Sequence, residues 1–98
     1  MRFEWDLSKD RINFKKHGLS FEDVLSVFLD PNILTLFDNE HSSLDEERWL
    51  SLGSTKYGLV CVVISTDRSS SSETVLRLIS ARKADAQEEI EYYSHQDV

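Results

Sequence analysis

Residues 75 to 84 read Val-Leu-Arg-Leu-Ile-Ser-Ala-Arg-Lys-Ala, an apolar run that carries cations inside it and then passes into a helical pattern. Read as a strand from Val75 to Ala81, side-chain alternation puts Val75, Arg77, Ile79 and Ala81 on one face and Leu76, Leu78 and Ser80 on the other. Arg77 then stands on an otherwise apolar face. A guanidinium keeps its proton at any relevant pH. The fold around this strand must therefore pair Arg77 with a carboxylate, let it reach the sheet rim, or turn it toward an anionic ligand.

The rest of the chain supplies the partners of that strand. Arg2-Phe3-Glu4-Trp5 alternates as a short half-buried strand does, and Asp6 is placed to cap a helix running through Lys16, with Gly18 as its stop. On that helix Leu7, Arg11, Phe14 and Gly18 form one stripe and Asn13, Lys16 and His17 another. Ser20 with Asp23 has the form of a capping box, Leu19 against Val24 that of a hydrophobic staple, and Phe21, Val24, Leu25 and Phe28 follow helical spacing up to Asp30-Pro31. Strands are expected at Ile33 to Phe37, Glu46 to Gly53 and Leu59 to Ile64. The last is apolar on both faces and reads as central. Asp38 to Asp45 is a polar loop, and the serine-rich Asp67 to Glu73 is a flexible connection. Asp85 with Glu88 forms a second capping box ahead of a closing helix with the narrow stripe Ala86, Ile90 and Tyr93; Ser94 to Val98 reads as a frayed tail. The expected class is α+β, a small antiparallel sheet packed with helices in the order β-α-α-β-β-β-β-α, in one domain spanning residues 1–98.

Composition narrows the function. The net charge of −7 opposes broad, non-specific attraction to nucleic acid and suits a cationic partner. The charge is uneven: residues 1–18 sum to +2, and residues 84–98 to −5 with no Lys or Arg. Cys61, the only cysteine, lies within Leu59 to Ile64 and reads as a small buried apolar group. One cysteine and three scattered histidines make no tetrahedral ligand set, so no metal and no cofactor is expected. The apolar runs are too short to span a membrane and the N-terminus lacks a signal-peptide apolar region, which reads as a soluble, cytoplasmic chain.

Lys16-His17-Gly18 sets a cation and a group that titrates near neutrality at a helix C-terminus. His41 in the polar loop and His95 in the tail read as solvated, and Tyr92 and Tyr93 as core or rim aromatics. Arg48 and Arg77 lie on strands flanking the central one, where a sheet can bring them to one concave face. Glu47-Arg48 can equally be a surface pair. Together Lys16, His17, Glu47, Arg48, Arg77 and Arg82 are the groups that RNA cleavage without metal demands: a base for the ribose 2′-hydroxyl, an acid for the departing 5′-oxygen, and cations for the charge on phosphorus. Their spacing alone supports only a possible anion site on a small α+β domain.

The series Phe3-x-Trp5-Asp6, Lys9, Asn13, Lys16-His17-Gly18, Phe21-Glu22, Phe28, Asp30-Pro31, Glu47-Arg48, Gly53 and Arg77-x-Ile79-Ser80-Ala81-Arg82-x-Ala84 resembles the BrnT family of toxins from type II toxin–antitoxin systems. The resemblance runs from Phe3 to about Tyr93. It implies a fold similar to the RelE-type ribonuclease toxins, metal-independent cleavage of RNA, and growth arrest through lost translation. It also implies neutralisation by a BrnA-like ribbon-helix-helix antitoxin, through which alone operator DNA is reached. By matching position it implies Lys16, His17, Glu47, Arg48, Arg77 and Arg82 as active-site residues; within that set we assign the catalytic roles to His17, Glu47, Arg48 and Arg77, with Glu47 or His17 moving protons and Arg48 and Arg77 on the phosphate. Lys16, Arg82 and Lys83 are then expected along the RNA backbone. The chain departs from the family in its closing helix, Asp85-Ala86-Gln87-Glu88-Glu89-Ile90-Glu91, where family members usually carry Lys and Arg. That helix repels phosphate at short range and suits a cationic surface, so the alternative is a weakly active binding module that serves as antitoxin partner and co-repressor.

Overall fold

The computed structural model describes residues 1–40, 42–44 and 46–96. His41, Asp45, Asp97 and Val98 lie outside the described residues, and with them the expectations for His41 and for the end of the tail. The elements are β1 (Arg2–Glu4), α1 (Leu7–His17), a 3₁₀ helix (Glu22–Leu29), β2 (Leu34–Phe37), β3 (Arg48–Ser54), β4 (Val60–Asp67), β5 (Val75–Lys83) and α2 (Ala86–Ser94). They form one five-stranded sheet in the order β1-β5-β4-β3-β2. All its pairings are antiparallel except that of β1 with β5, which is parallel. The doubly apolar run from Leu59 is the middle strand, as its composition requires. Among the described residues no helix is long and apolar enough to cross a membrane.

Helix α1 is set by its two ends. The Asp6 carboxylate accepts the Ser8 and Lys9 amide hydrogens at 2.8 and 3.2 Å, and Gly18 closes the helix at φ 73°, a left-handed conformation that glycine adopts without Cβ strain. Between them only Asn13 is buried. Its side-chain amide donates to Ala81 O at 2.9 Å and accepts from Ala81 N at 3.0 Å. One side chain thus gives β5 the two bonds a neighbouring strand would give, beyond the point where β1 stops at the Glu4–Arg77 pair.

The second helix departs from the α spacing expected for it. With three residues per turn, positions i, i+3 and i+6 stack, so Phe21, Val24 and Val27 are fully buried while Leu25 and Phe28 are only partly covered. Ser20 and Asp23 exchange the expected reciprocal bonds at its entry. At its exit the Asp30 carboxylate accepts from Ser54 N at 2.8 Å, Asn32 N at 2.9 Å and Tyr92 Oη at 2.5 Å. Burial pushes this carboxyl up, but the three hydrogen bonds outweigh it and hold it below its ordinary value. A Cβ at Gly53 would lie 3.0 Å from Val27 Cγ1 and 3.3 Å from Asp30 Oδ2, so these two side chains would have to give by a few tenths of an ångström to admit any residue but glycine on β3.

The largest correction to the sequence reading lies in β5. Ile64 pairs with Ser80 and the next residue, Ser65, with Leu78, which leaves Ile79 as the extra residue of a β-bulge. The bulge resets the alternation, so Arg77 does not share a face with Ala81. Leu78 and Ala81 point toward the 3₁₀ helix and its core with Cys61 and Val63, whereas Arg77, Ser80 and Arg82 share the opposite face. On that second face Tyr92 of α2 buries against Leu52, Val60 and Val62. The connection from Asp67 to Glu73 also differs from a featureless linker. Ser69 N bonds to Asp67 Oδ1, Ser70 N to Glu73 O, and Val75 N to the Ser69 hydroxyl.

Candidate functional site

Register across the three central strands sets Arg48, Thr66 and Arg77 side by side in one rung, Leu50, Ile64 and Ser80 in the next, and Leu52, Val62 and Arg82 in the third. Neighbouring strands lie about 4.8 Å apart, so Arg48 and Arg77 stand about 10 Å from each other across Thr66. The C-terminal turn of α1 brings Lys16 and His17 over this face. The result is a groove of about 480 Å³ with an apolar floor of Leu50, Val62 and Ile64. Lys16 and His17 form one side, Arg48 and Arg82 flank the floor, and Asp38, Glu40 and Ser80 complete the lining.

Each arginine on this face meets a carboxylate. Arg48 Nε lies 3.3 Å from Glu46 Oε1, and Arg77 Nη1 lies 3.5 Å from Glu4 Oε1. Arg82 is held at two points, Nη1 to Glu88 Oε1 at 2.7 Å and Nη2 to Oε2 at 2.9 Å. The bonds from Arg82 hold the Glu88 carboxyl below its usual range, and the same pairing raises the guanidinium. Among the described residues Lys16 and His17 make no side-chain hydrogen bond or ion pair, so one cation and one imidazole face the groove uncommitted.

Of the residues singled out in the sequence, Lys16, His17, Arg48 and Arg82 come together here. Arg77 shares their face and the rung of Arg48 but does not line the groove, standing beyond Thr66 and beside β1. Glu47 precedes β3, is exposed, and lines a separate recess with Glu46, Thr66 and Arg68; its backbone carbonyl accepts from Thr66 Oγ1 at 2.8 Å. Lys83 pairs across from Cys61 and so points to the face opposite Arg82. His95 is exposed and bonds Glu91 O through Nδ1. Cys61 is fully buried, and burial pushes its thiol up to about 11. Asp38 and Glu40 were missed because they belong to a polar loop without periodicity. Only the strand order, which lays the β2–β3 connection beside the groove, marks them.

A family model described as the ribonuclease toxin BrnT of type II toxin–antitoxin systems matches residues 5–88. The crystal structure of the Brucella abortus ribonuclease toxin BrnT superposes with a TM-score of 0.61 at 29% sequence identity, covering 87% of this chain and 97% of that one. A search of curated proteins returns no match. The match over residues 5–88, with the shared fold, places this chain in the BrnT family of ribonuclease toxins of type II toxin–antitoxin systems.

Proposed function

We propose that residues 1–98 form a single toxin domain that cleaves RNA internally and without metal in the groove between the end of α1 and the sheet, so halting translation and growth. The convergence of Lys16, His17, Arg48 and Arg82 on that groove carries the reading. Transfer of a phosphodiester to the ribose 2′-oxygen needs two proton movements and stabilisation of the charge on phosphorus. In this reading the Glu40 carboxylate takes the proton of the 2′-hydroxyl as the 2′-oxygen bonds to phosphorus. The His17 imidazolium gives a proton to the 5′-oxygen as its bond to phosphorus breaks. Arg48 and Arg82 hold non-bridging oxygens in planar, two-point fashion, and Lys16 meets a neighbouring phosphate. Arg77 extends the cationic track sideways, across Thr66 from Arg48. Glu47 and Lys83, outside the groove, carry no catalytic step in this scheme.

Metal independence is tested by cleavage of a labelled mixed-sequence RNA in EDTA. An unchanged rate supports it, and a loss restored by a divalent cation removes it. Membership in a type II family supports a protein antitoxin, and we assign it the BrnA-like ribbon-helix-helix class, with operator DNA reached only through that partner.

One observation favours a second reading, a weakly active co-repressor module: Arg48, Arg77 and Arg82 each already face a carboxylate, which weakens their pull on phosphate. If purified protein leaves RNA intact while tightening operator binding by the antitoxin, this second reading replaces the first.

A further inference from the structure

We infer that Glu88 is a positioning residue for RNA cleavage, fixing the Arg82 guanidinium at the groove, and that the closing helix α2 is the brace that fixes Glu88. The inference rests on the groove being the cleavage site. Glu88 meets Arg82 at two points, at 2.7 and 2.9 Å, and the same carboxylate accepts Asp85 N at 2.9 Å. Asp85 returns a bond to Glu88 N at 2.8 Å, so the capping box restrains both the backbone and the side chain of Glu88. Further along the helix, Tyr92 is buried and bonded to Asp30, which in turn holds Ser54 N on β3. A continuous set of contacts therefore runs from the sheet through α2 to the Arg82 guanidinium.

A guanidinium has five N–H donors, and Glu88 engages one on each terminal nitrogen. The Arg82 side chain is still 42% exposed, which leaves donors open to an anion in the groove. Arg48, by contrast, has a single contact to Glu46 through Nε, at 3.3 Å. The pairing lowers the net charge at Arg82 but gives its planar fork a direction, and orientation is what cleavage of a phosphodiester requires. It also accounts for an acidic helix beside a phosphate groove: the carboxylate of α2 that contacts a groove residue is Glu88, and Arg82 already compensates it, while Glu89 and Glu91 are exposed.

The test measures single-turnover cleavage of a labelled mixed-sequence RNA by the full chain. Glu88→Ala is expected to lower the maximal rate about tenfold while the half-saturating RNA concentration moves less than about threefold. Glu89→Ala removes an exposed carboxylate of the same helix that does not bond Arg82, and is expected to keep the rate. Added guanidinium at millimolar concentration is expected to restore part of the activity of Arg82→Ala, and none to the Arg82→Ala, Glu88→Ala double variant. An unchanged or faster Glu88→Ala enzyme overturns the inference, as does equal loss in Glu89→Ala or equal rescue of the single and double variants. Slow cleavage by Arg82→Ala with full activity in Glu88→Ala removes Glu88 alone. Full activity in Arg82→Ala removes the groove reading and this inference with it.

Discussion

On the face of the sheet turned to the 3₁₀ helix, Cys61, Val63, Leu78 and Ala81 meet Phe21, Val24 and Val27 with almost no solvent access. On the opposite face β3, β4 and β5 carry Arg48, Thr66, Arg77, Ser80 and Arg82. The first face derives its stability from burial and holds no charged side chain in that cluster. On β3 and β5 the second holds three guanidinium groups, each balanced by a carboxylate from a different element: the loop before β3, β1, and α2. The bulge at Ile79 keeps the two apart. Strict alternation along β5 would put Arg77 on the side of Ala81, in the dry core; one extra residue lets Leu78 and Ala81 go inward while Arg77, Ser80 and Arg82 go outward. Stability and chemistry thus occupy opposite sides of one thin layer, and substitutions should separate accordingly.

The dry face should fail most heavily. Phe21→Ala removes a fully buried aromatic and is expected to cost about 4 kcal/mol in urea unfolding, a large share of the stability of a domain this size. Gly53→Ala forces a methyl against Val27 and Asp30 and is expected to cost about 2 kcal/mol by the same measurement; a cost below about 0.5 kcal/mol would mean that the layers are looser than their contacts indicate.

Tyr92→Phe is expected to cost about 1 kcal/mol, and its pH dependence sharpens the assignment. Burial, then the bond to Asp30, pushes the Tyr92 phenol from 10.0 up to about 12. Its contribution is therefore complete below pH 10 and is lost as pH rises through 12, a loss the phenylalanine variant should lack. Asp30 works in the other direction. Its carboxyl is lowered on folding, so its contribution is present above the ordinary carboxylate range and fades as pH falls through and below about 4. Glu4→Gln, at a partly exposed ion pair 3.5 Å long, should change unfolding by less than about 0.5 kcal/mol.

Much of this architecture was legible in the residues, and the parts that were share a cause. The Asp6 cap, the Gly18 stop and the two capping boxes depend on partners two to four positions away, and each stands where it was read. The central strand followed from a run apolar on both faces. The bulge could not be seen, because no glycine or proline marks Ile79 and its reason lies on the neighbouring strand. The 3₁₀ helix escaped for a related reason: Phe21 and Val24 fit either helix, and only the burial of Val27 over Leu25 and Phe28 separates them. In the groove, residues borne on regular elements, Lys16, His17, Arg48 and Arg82, were recognised, whereas Glu40 was not, since its place depends on strand order. The Arg82–Glu88 pair was hidden differently, as both residues were noticed for separate roles, a cation for RNA and a cap for a helix.

The groove face is the proposed place where RNA is cut. The direct measurement is the single-turnover cleavage rate of a labelled mixed-sequence RNA by Arg48→Ala beside Lys56→Ala, a cation exposed in the β3–β4 turn away from the groove. The expected result is a loss of about 100-fold for Arg48→Ala, near 2.7 kcal/mol of transition-state stabilisation, with Lys56→Ala at the wild-type rate and both variants melting within a few degrees of wild type. Equal rates for Arg48→Ala and wild type, or equal losses in the two variants, would contradict it.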